Sequence, residues 1–116
     1  MRNPVVKIDT RRITDWPSFH TVFAEAMGFP GFYGRNMNAW IDCMTSLDVP
    51  EDGMTAVHAP SGGVLAIQLD HVNEFAARCP EQYGALIEAA AFVNWRRIEA
   101  GEEAVLSLSY YKTPPE

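Results

Sequence analysis

Hydrophobic residues follow two alternating spacings along the chain. Short runs rich in branched apolar residues predict three strands, at 5–8, 64–69 and 104–110. Between these runs, apolar residues recur every three or four positions, which predicts four helices. The helices are expected to begin near Thr14, Asn36, Asp70 and Pro80. Because helical connections between strands favour parallel pairing, we expect an α/β fold with a mostly parallel three-stranded sheet packed by about four helices.

The stretch between the second helix and the second long strand run is less regular. Residues 48–53 have the composition of a loop. Residues 54–58 are expected to form an extra antiparallel strand, because the turn sequence 60–63 could join them in a hairpin to the run at 64–69.

The predicted second helix has two sides of different chemistry. Its apolar residues are spaced to form one stripe, which is expected to face the core. The stripe consists of Met37, Trp40, Met44 and Leu47. Polar residues fall on the other side, namely Arg35, Asn38, Asp42 and Thr45. The helix should therefore expose a carboxylate on the side opposite its buried stripe.

Composition favours an ordinary folded protein. The 116 residues are 47% hydrophobic, so we expect one domain over 1–116, with a tail that frays from about residue 112. Membrane attachment is not expected, because no apolar run approaches the length of a membrane span. A cytoplasmic location is expected, since residues 1–7 lack the apolar segment of a signal peptide. Cys43 and Cys79 are expected to be buried free thiols.

Charge and motifs narrow the function classes. A formal net charge of −6 argues against nucleic-acid binding but permits a basic protein partner. His20, His58 and His71 have no metal-binding spacing and no catalytic motif around them, and His20 is expected on the exposed side of its helix. We therefore expect no catalytic residues, no metal and no cofactor, and predict that the protein is not an enzyme.

The segment from Phe32 to Thr45 carries a specific pattern. It reads aromatic, Tyr, Gly, any residue, Asn, apolar, acid or amide, Ala, two apolar residues, Asp, Cys, apolar, Thr. This pattern resembles the loop and second helix of the barstar-like family, intracellular inhibitors of small ribonucleases. The resemblance covers about residues 4–110. The segment at 48–63 is longer than in the inhibitor after which the family is named. It implies a small three-layer barstar-like fold with three parallel strands.

The resemblance also implies a function and a binding surface. Such inhibitors insert the second helix and its preceding loop into the nuclease cleft, where a carboxylate takes the place of a substrate phosphate. Asp42 aligns with that carboxylate. A bacterial immunity protein or antitoxin that binds a basic ribonuclease or nuclease toxin is therefore implied. Its expected partner-binding residues are Phe32, Gly34, Asn36, Asn38, Ile41, Asp42 and Thr45.

Other interpretations stay open from the sequence. Phe32 and Ile41 could be core residues, and Asn36 could serve only as a helix cap. The chain also departs from the family pattern, because an acid or an aromatic contact residue is replaced at each of four positions: Arg35, Asn38, Ile41 and Arg96. These changes favour one alternative, a non-inhibitory protein-interaction module with a changed partner. A small enzyme with a pocket that residue spacing does not reveal is a further alternative.

Overall fold

The computed structural model describes residues 4–113, so the tail that is expected to fray from about residue 112 lies outside the described residues from position 114 onward. In this part of the chain, three strands are separated from one another by pairs of α-helices. The strands are β1 (Val5–Asp9), β2 (Leu65–Asp70) and β3 (Leu106–Ser109). The α-helices are α1 (Trp16–Met27), α2 (Met37–Thr45), α3 (Val72–Arg78) and α4 (Pro80–Glu99). Short 3₁₀ helices occupy Thr10–Arg12 and Pro50–Asp52.

The three strands form one parallel sheet in the order β1-β2-β3. Along β2, Leu65, Ile67 and Leu69 are buried, while the residues between them stay partly exposed, so the core lies against one face of the sheet. α1 packs on β1, and α4 packs on β3. The predicted α/β fold class, with its parallel sheet and four helices, is confirmed.

The prediction of an extra strand at 54–58 is wrong. This segment has no β structure. Its backbone bonds to α1 instead, because Ala56 N donates to O of Met27, the last residue of α1, at 2.8 Å. Just beyond the segment, Ala59 N donates to O of Leu47, two residues after α2 ends, at 2.9 Å. A hairpin strand would need a free edge of β2, but β1 and β3 already occupy both edges. The 48–63 segment therefore joins the carboxyl ends of α1 and α2.

Glycine at position 28 allows this segment to approach α1. Gly28 ends α1 in the left-handed conformation, with φ of 66°. A Cβ atom at this position would lie 2.3 Å from the Cβ atom of Ala56. The end of α1 and the 48–63 segment thus meet at a place that only glycine fits.

α2 is held mainly by α4. Trp40, Met44 and Leu47 of the predicted stripe are fully buried, and Trp40 meets Phe23 of α1 edge to face at 5.7 Å between ring centroids. Met37 is partly buried. The predicted orientation of α2 is confirmed, and its polar side is left facing outward.

Three further observations concern the described residues. No helix within residues 4–113 is both long enough and apolar enough to span a bilayer. Cys43 and Cys79 are buried free thiols, as expected, and burial raises the pKa of Cys43 to about 11. Thr113 is hydrogen-bonded to Asn73 through both its backbone and its side chain.

Candidate functional site

The loop before α2 is built around its cap residue. Asn36 Oδ1 accepts a hydrogen bond from Ala39 N at 2.8 Å, and Asn36 Nδ2 donates to Gly34 O at 3.2 Å. Asn36 therefore caps α2 and also fixes the loop. Phe32 is 75% exposed, so it is not a core aromatic. Its neighbour Tyr33 is buried and anchors the loop from below.

Tyr33 is anchored by His20, and the prediction that His20 lies on the exposed side of its helix is wrong. His20 is 4% exposed instead of surface-facing, and its Nδ1 lies 2.6 Å from Tyr33 Oη. The His20 ring also stacks on Trp16, with centroids 5.8 Å apart. Burial, and then the nearby charge of Arg35, lowers the pKa of His20 below its ordinary value of 6.5. Burial likewise raises the pKa of Tyr33, so burial favours the neutral form of both groups.

This buried pair predicts a pH-dependent stability. Because the folded-state pKa of His20 lies below its unfolded-state value of 6.5, the unfolded chain binds more protons near that pH. The free energy of unfolding should therefore fall as the pH drops from about 7.5 to about 5.5, which urea unfolding at both pH values measures. In His20→Gln this fall should shrink, whereas the exposed-site control His71→Gln should retain it. An equal fall in wild type and His20→Gln would contradict the assignment.

Arg35 holds the same loop against α1. Its backbone adopts a positive φ of 53°, and its guanidinium Nη2 donates to Pro17 O at 2.9 Å and to Thr21 Oγ1 at 2.8 Å. The Arg35 guanidinium is therefore bonded to α1, although the residue as a whole is exposed to solvent. The loop that leads into α2 is consequently fastened at three residues: Tyr33, Arg35 and Asn36.

Asp42 lies exposed in the middle of α2, but it has a cation of its own. Its side chain is 62% exposed, and its Oδ1 lies 3.1 Å from Arg96 Nη2 of α4. Arg96 also donates to Thr45 Oγ1, from Nη2 at 2.7 Å and from Nε at 3.1 Å. Thr45 Oγ1 in turn donates to Ile41 O at 2.6 Å. The carboxylate is thus outward-facing and already paired.

An apolar groove of about 370 Å³ runs along the surface between α2 and α4. Ile41, one turn before Thr45, forms part of its α2 wall and is only partly buried. The lining residues are Met37, Ile41, Ala85, Glu88, Ala89 and Phe92. Ile41 therefore belongs to an accessible groove and not to the closed core.

The seven predicted partner-binding residues all lie along the loop and the outer side of α2. Five of them are exposed and two are partly buried. The exposed ones are Phe32, Gly34, Asn36, Asn38 and Asp42, and the partly buried ones are Ile41 and Thr45. This arrangement offers a fixed carboxylate, amide groups and apolar side chains to another molecule. It contains no nucleophile with an adjacent base.

The sequence of the chain also matches a known protein family. A family model described as Barstar (barnase inhibitor) matches residues 3–107. The chain belongs to the barstar family. The resemblance expected from residues 32–45 is therefore confirmed, and it extends over nearly the whole chain. Members of the barstar family are ribonuclease inhibitors and not enzymes. No curated protein matches the chain significantly.

One residue that holds this face in place was not predicted from the sequence. Arg97 is 4% exposed, and its guanidinium donates to both carboxylate oxygens of Asp48, at 3.1 and 2.8 Å. It also donates to Thr45 O at 2.9 Å and to Glu103 O at 2.8 Å. Helical spacing could have predicted its burial, because position 97 continues the buried side of α4 that is formed by Leu86, Ala90 and Val93. Arg97 thus fixes the carboxyl end of α2.

Within residues 4–113, no three His, Cys, Asp or Glu side chains are grouped as a metal site would require. The face formed by residues 32–45 instead presents exposed side chains on a fastened loop and a short helix.

Proposed function

We propose that this protein inhibits a ribonuclease or nuclease toxin by covering its active site with the loop and helix at 32–45, and that it is not itself an enzyme. Its place of action would be the bacterial cytoplasm, where an antitoxin or immunity protein protects the cell's own RNA. The partner would be a protein with a basic cleft, without direct contact between this chain and nucleic acid or membrane.

The observation that supports this proposal most strongly is the position of Asp42. Its carboxylate is 62% exposed and stands on a short helix that is capped by Asn36 and fixed at its other end by Arg97. A ribonuclease cleft is built to bind the anionic phosphates of RNA with cationic side chains. A rigidly held carboxylate can occupy such a phosphate position without being cleaved.

The neighbouring residues would complete the contact. Phe32 supplies an exposed ring at the edge of the loop, and Gly34 lets a partner approach the backbone closely. The amide of Asn38 would form hydrogen bonds, while that of Asn36 is largely used in capping. Ile41 and Thr45 lie on either side of Asp42 along the helix. In the complex they would border the Asp42 carboxylate, which the partner would then cover.

The test is recovery and inhibition of the nuclease. Affinity-tagged protein would be purified from its native host, and co-purifying proteins would be separated and assayed for RNA cleavage. Addition of the pure protein to a recovered ribonuclease should abolish cleavage at one molar equivalent. Purified barnase, the ribonuclease in the family's description, would be titrated in parallel.

One observation favours the alternative of a non-inhibitory interaction module. Arg96 pairs with Asp42 and reduces the negative potential that a phosphate mimic would need. Two results together would support this alternative. The tagged protein would recover a partner without ribonuclease activity, and barnase would remain active in an excess of this protein.

A further inference from the structure

The outer face of α4 carries a row of exposed apolar residues. Phe92, Trp95 and Ile98 are 43%, 57% and 59% exposed, and their spacing of three places them along one side of the helix. The rings of Phe92 and Trp95 stack with centroids 5.9 Å apart. The solvent side of a helix is normally polar, and contiguous exposed aromatic surface is typical of binding sites. We call these three residues the α4 stripe.

The α4 stripe is continuous with the candidate site on α2. Phe92 forms one wall of the groove whose other wall contains Ile41. The guanidinium of Arg96 lies 5.9 Å from the centre of the Phe92 ring and reaches Asp42 on the other side. A partner that covers Asp42 would therefore also meet Arg96, the groove and the stripe.

Charge restricts which partner fits this surface. A cleft that offers only cations would attract Asp42 but repel Arg96, which is bonded to the same carboxylate. A partner that presents a cation opposite Asp42 and a carboxylate opposite Arg96 gives each charge a partner across the interface as well. Such a four-charge arrangement lets both buried ions keep partners after water is excluded.

Granted the inhibition proposed above, we propose that the nuclease is bound across both α2 and α4. An acidic residue on the rim of its cleft pairs with Arg96, and an apolar side chain enters the groove between Ile41 and Phe92. Trp95 is the main apolar anchor of this second contact. Arg96 is thereby a specificity-determining residue, selecting nucleases with an acid beside the phosphate-binding cations.

A nuclease fits the α4 stripe better than a second copy of this chain. Two copies that each carry a formal net charge of −6 repel one another, whereas an RNA-binding enzyme has a cationic cleft. The stripe also shares its edge with the ion pair and groove, so a single partner surface can cover all three. Self-association is the competing outcome that the experiment must distinguish.

The test uses the host ribonuclease recovered with the tagged protein and, as a second probe, purified barnase. Inhibition constants would be measured for wild type, Trp95→Ala and Arg96→Glu. For the host enzyme, Trp95→Ala should weaken inhibition by about thirtyfold and Arg96→Glu by at least about tenfold. For barnase, a nuclease not selected by Arg96, Arg96→Glu should instead tighten binding, because a second acid replaces the repelling cation.

Matched controls use similar side chains outside this surface. Tyr111→Ala removes a 77% exposed aromatic residue, and Arg12→Glu reverses an arginine whose exposed ion pair with Glu25 resembles that of Arg96 with Asp42. Both should leave inhibition of the host enzyme unchanged. Circular dichroism and melting temperature would confirm that every variant is folded.

The outcomes separate this inference from the proposed function. If wild type inhibits neither nuclease, both proposals fail. If inhibition is lost in Asp42→Ala but unchanged in Trp95→Ala and Arg96→Glu, the function stands and the α4 contact is wrong. If Arg96→Glu tightens binding to the host enzyme too, that partner has no acid opposite Arg96. A dimer in sedimentation that Trp95→Ala dissociates, with inhibition unchanged, would assign the stripe to a second copy.

Discussion

Replacing Asp42 by alanine is expected to weaken the complex with the partner nuclease by about 2 kcal/mol or more, roughly a thirtyfold rise in Kd. Two effects add in the same direction. The phosphate-binding cations of the nuclease lose the carboxylate that neutralises them. In addition, Arg96 loses Asp42, its ion-pair partner at 3.1 Å, which offsets the repulsion between Arg96 and the cations of the cleft. Titration calorimetry or inhibition kinetics measures the change.

The stability of the free protein should hardly change in Asp42→Ala. The ion pair is 62% exposed at the carboxylate, so solvent screens it and its loss should cost less than about 1 kcal/mol. Arg96 also keeps its two hydrogen bonds to Thr45. The matched control is Glu25→Ala, which removes the acid from the exposed pair with Arg12 on α1. Equal affinities for wild type and Asp42→Ala would remove this carboxylate from the interface.

Replacing Arg97 by alanine is expected to lower the free energy of unfolding by about 3 kcal/mol. The guanidinium is almost completely buried and bonds to both oxygens of Asp48 and to the carbonyls of Thr45 and Glu103. Its removal leaves a partly buried carboxylate without its cation and two carbonyl groups without their donor. Urea unfolding followed by circular dichroism would measure the loss.

An exposed arginine provides the control for this prediction. Arg11 makes a similar two-pronged contact with Asp9, at 2.9 Å for each pair of atoms, but its side chain is 65% exposed. Arg11→Ala should change the unfolding midpoint far less than Arg97→Ala, because water replaces the lost partner. If the two variants were equally stable, burial would not be what makes the Arg97 contacts important.

The orientation of α2 could be predicted from sequence because it depends only on helical spacing. Trp40 and Met44 are fully buried and Asp42 is exposed, as the apolar stripe indicates. The pattern at 32–45 also predicted the family of the whole chain, and the family match over residues 3–107 confirms that prediction. The contact roles of the seven residues on this face remain predictions.

The errors concern groups whose surroundings come from distant parts of the chain. The 54–58 segment has acceptable strand composition, but spacing does not reveal that both edges of β2 are already paired. His20 is buried because Tyr33, which is 13 residues away, supplies its hydrogen-bond partner. The pairing of Asp42 with Arg96 joins residues 54 positions apart, so only the packing of α2 on α4 brings it about.

The fastening of the 32–36 loop has a kinetic consequence. Tyr33, Arg35 and Asn36 each tie it to α1 or α2 before any partner is present. Binding then loses little conformational entropy, because few backbone dihedrals are left to freeze. Association should be limited by diffusion and electrostatic steering and not by loop rearrangement, so that differences in affinity among partners arise chiefly in the rate of dissociation.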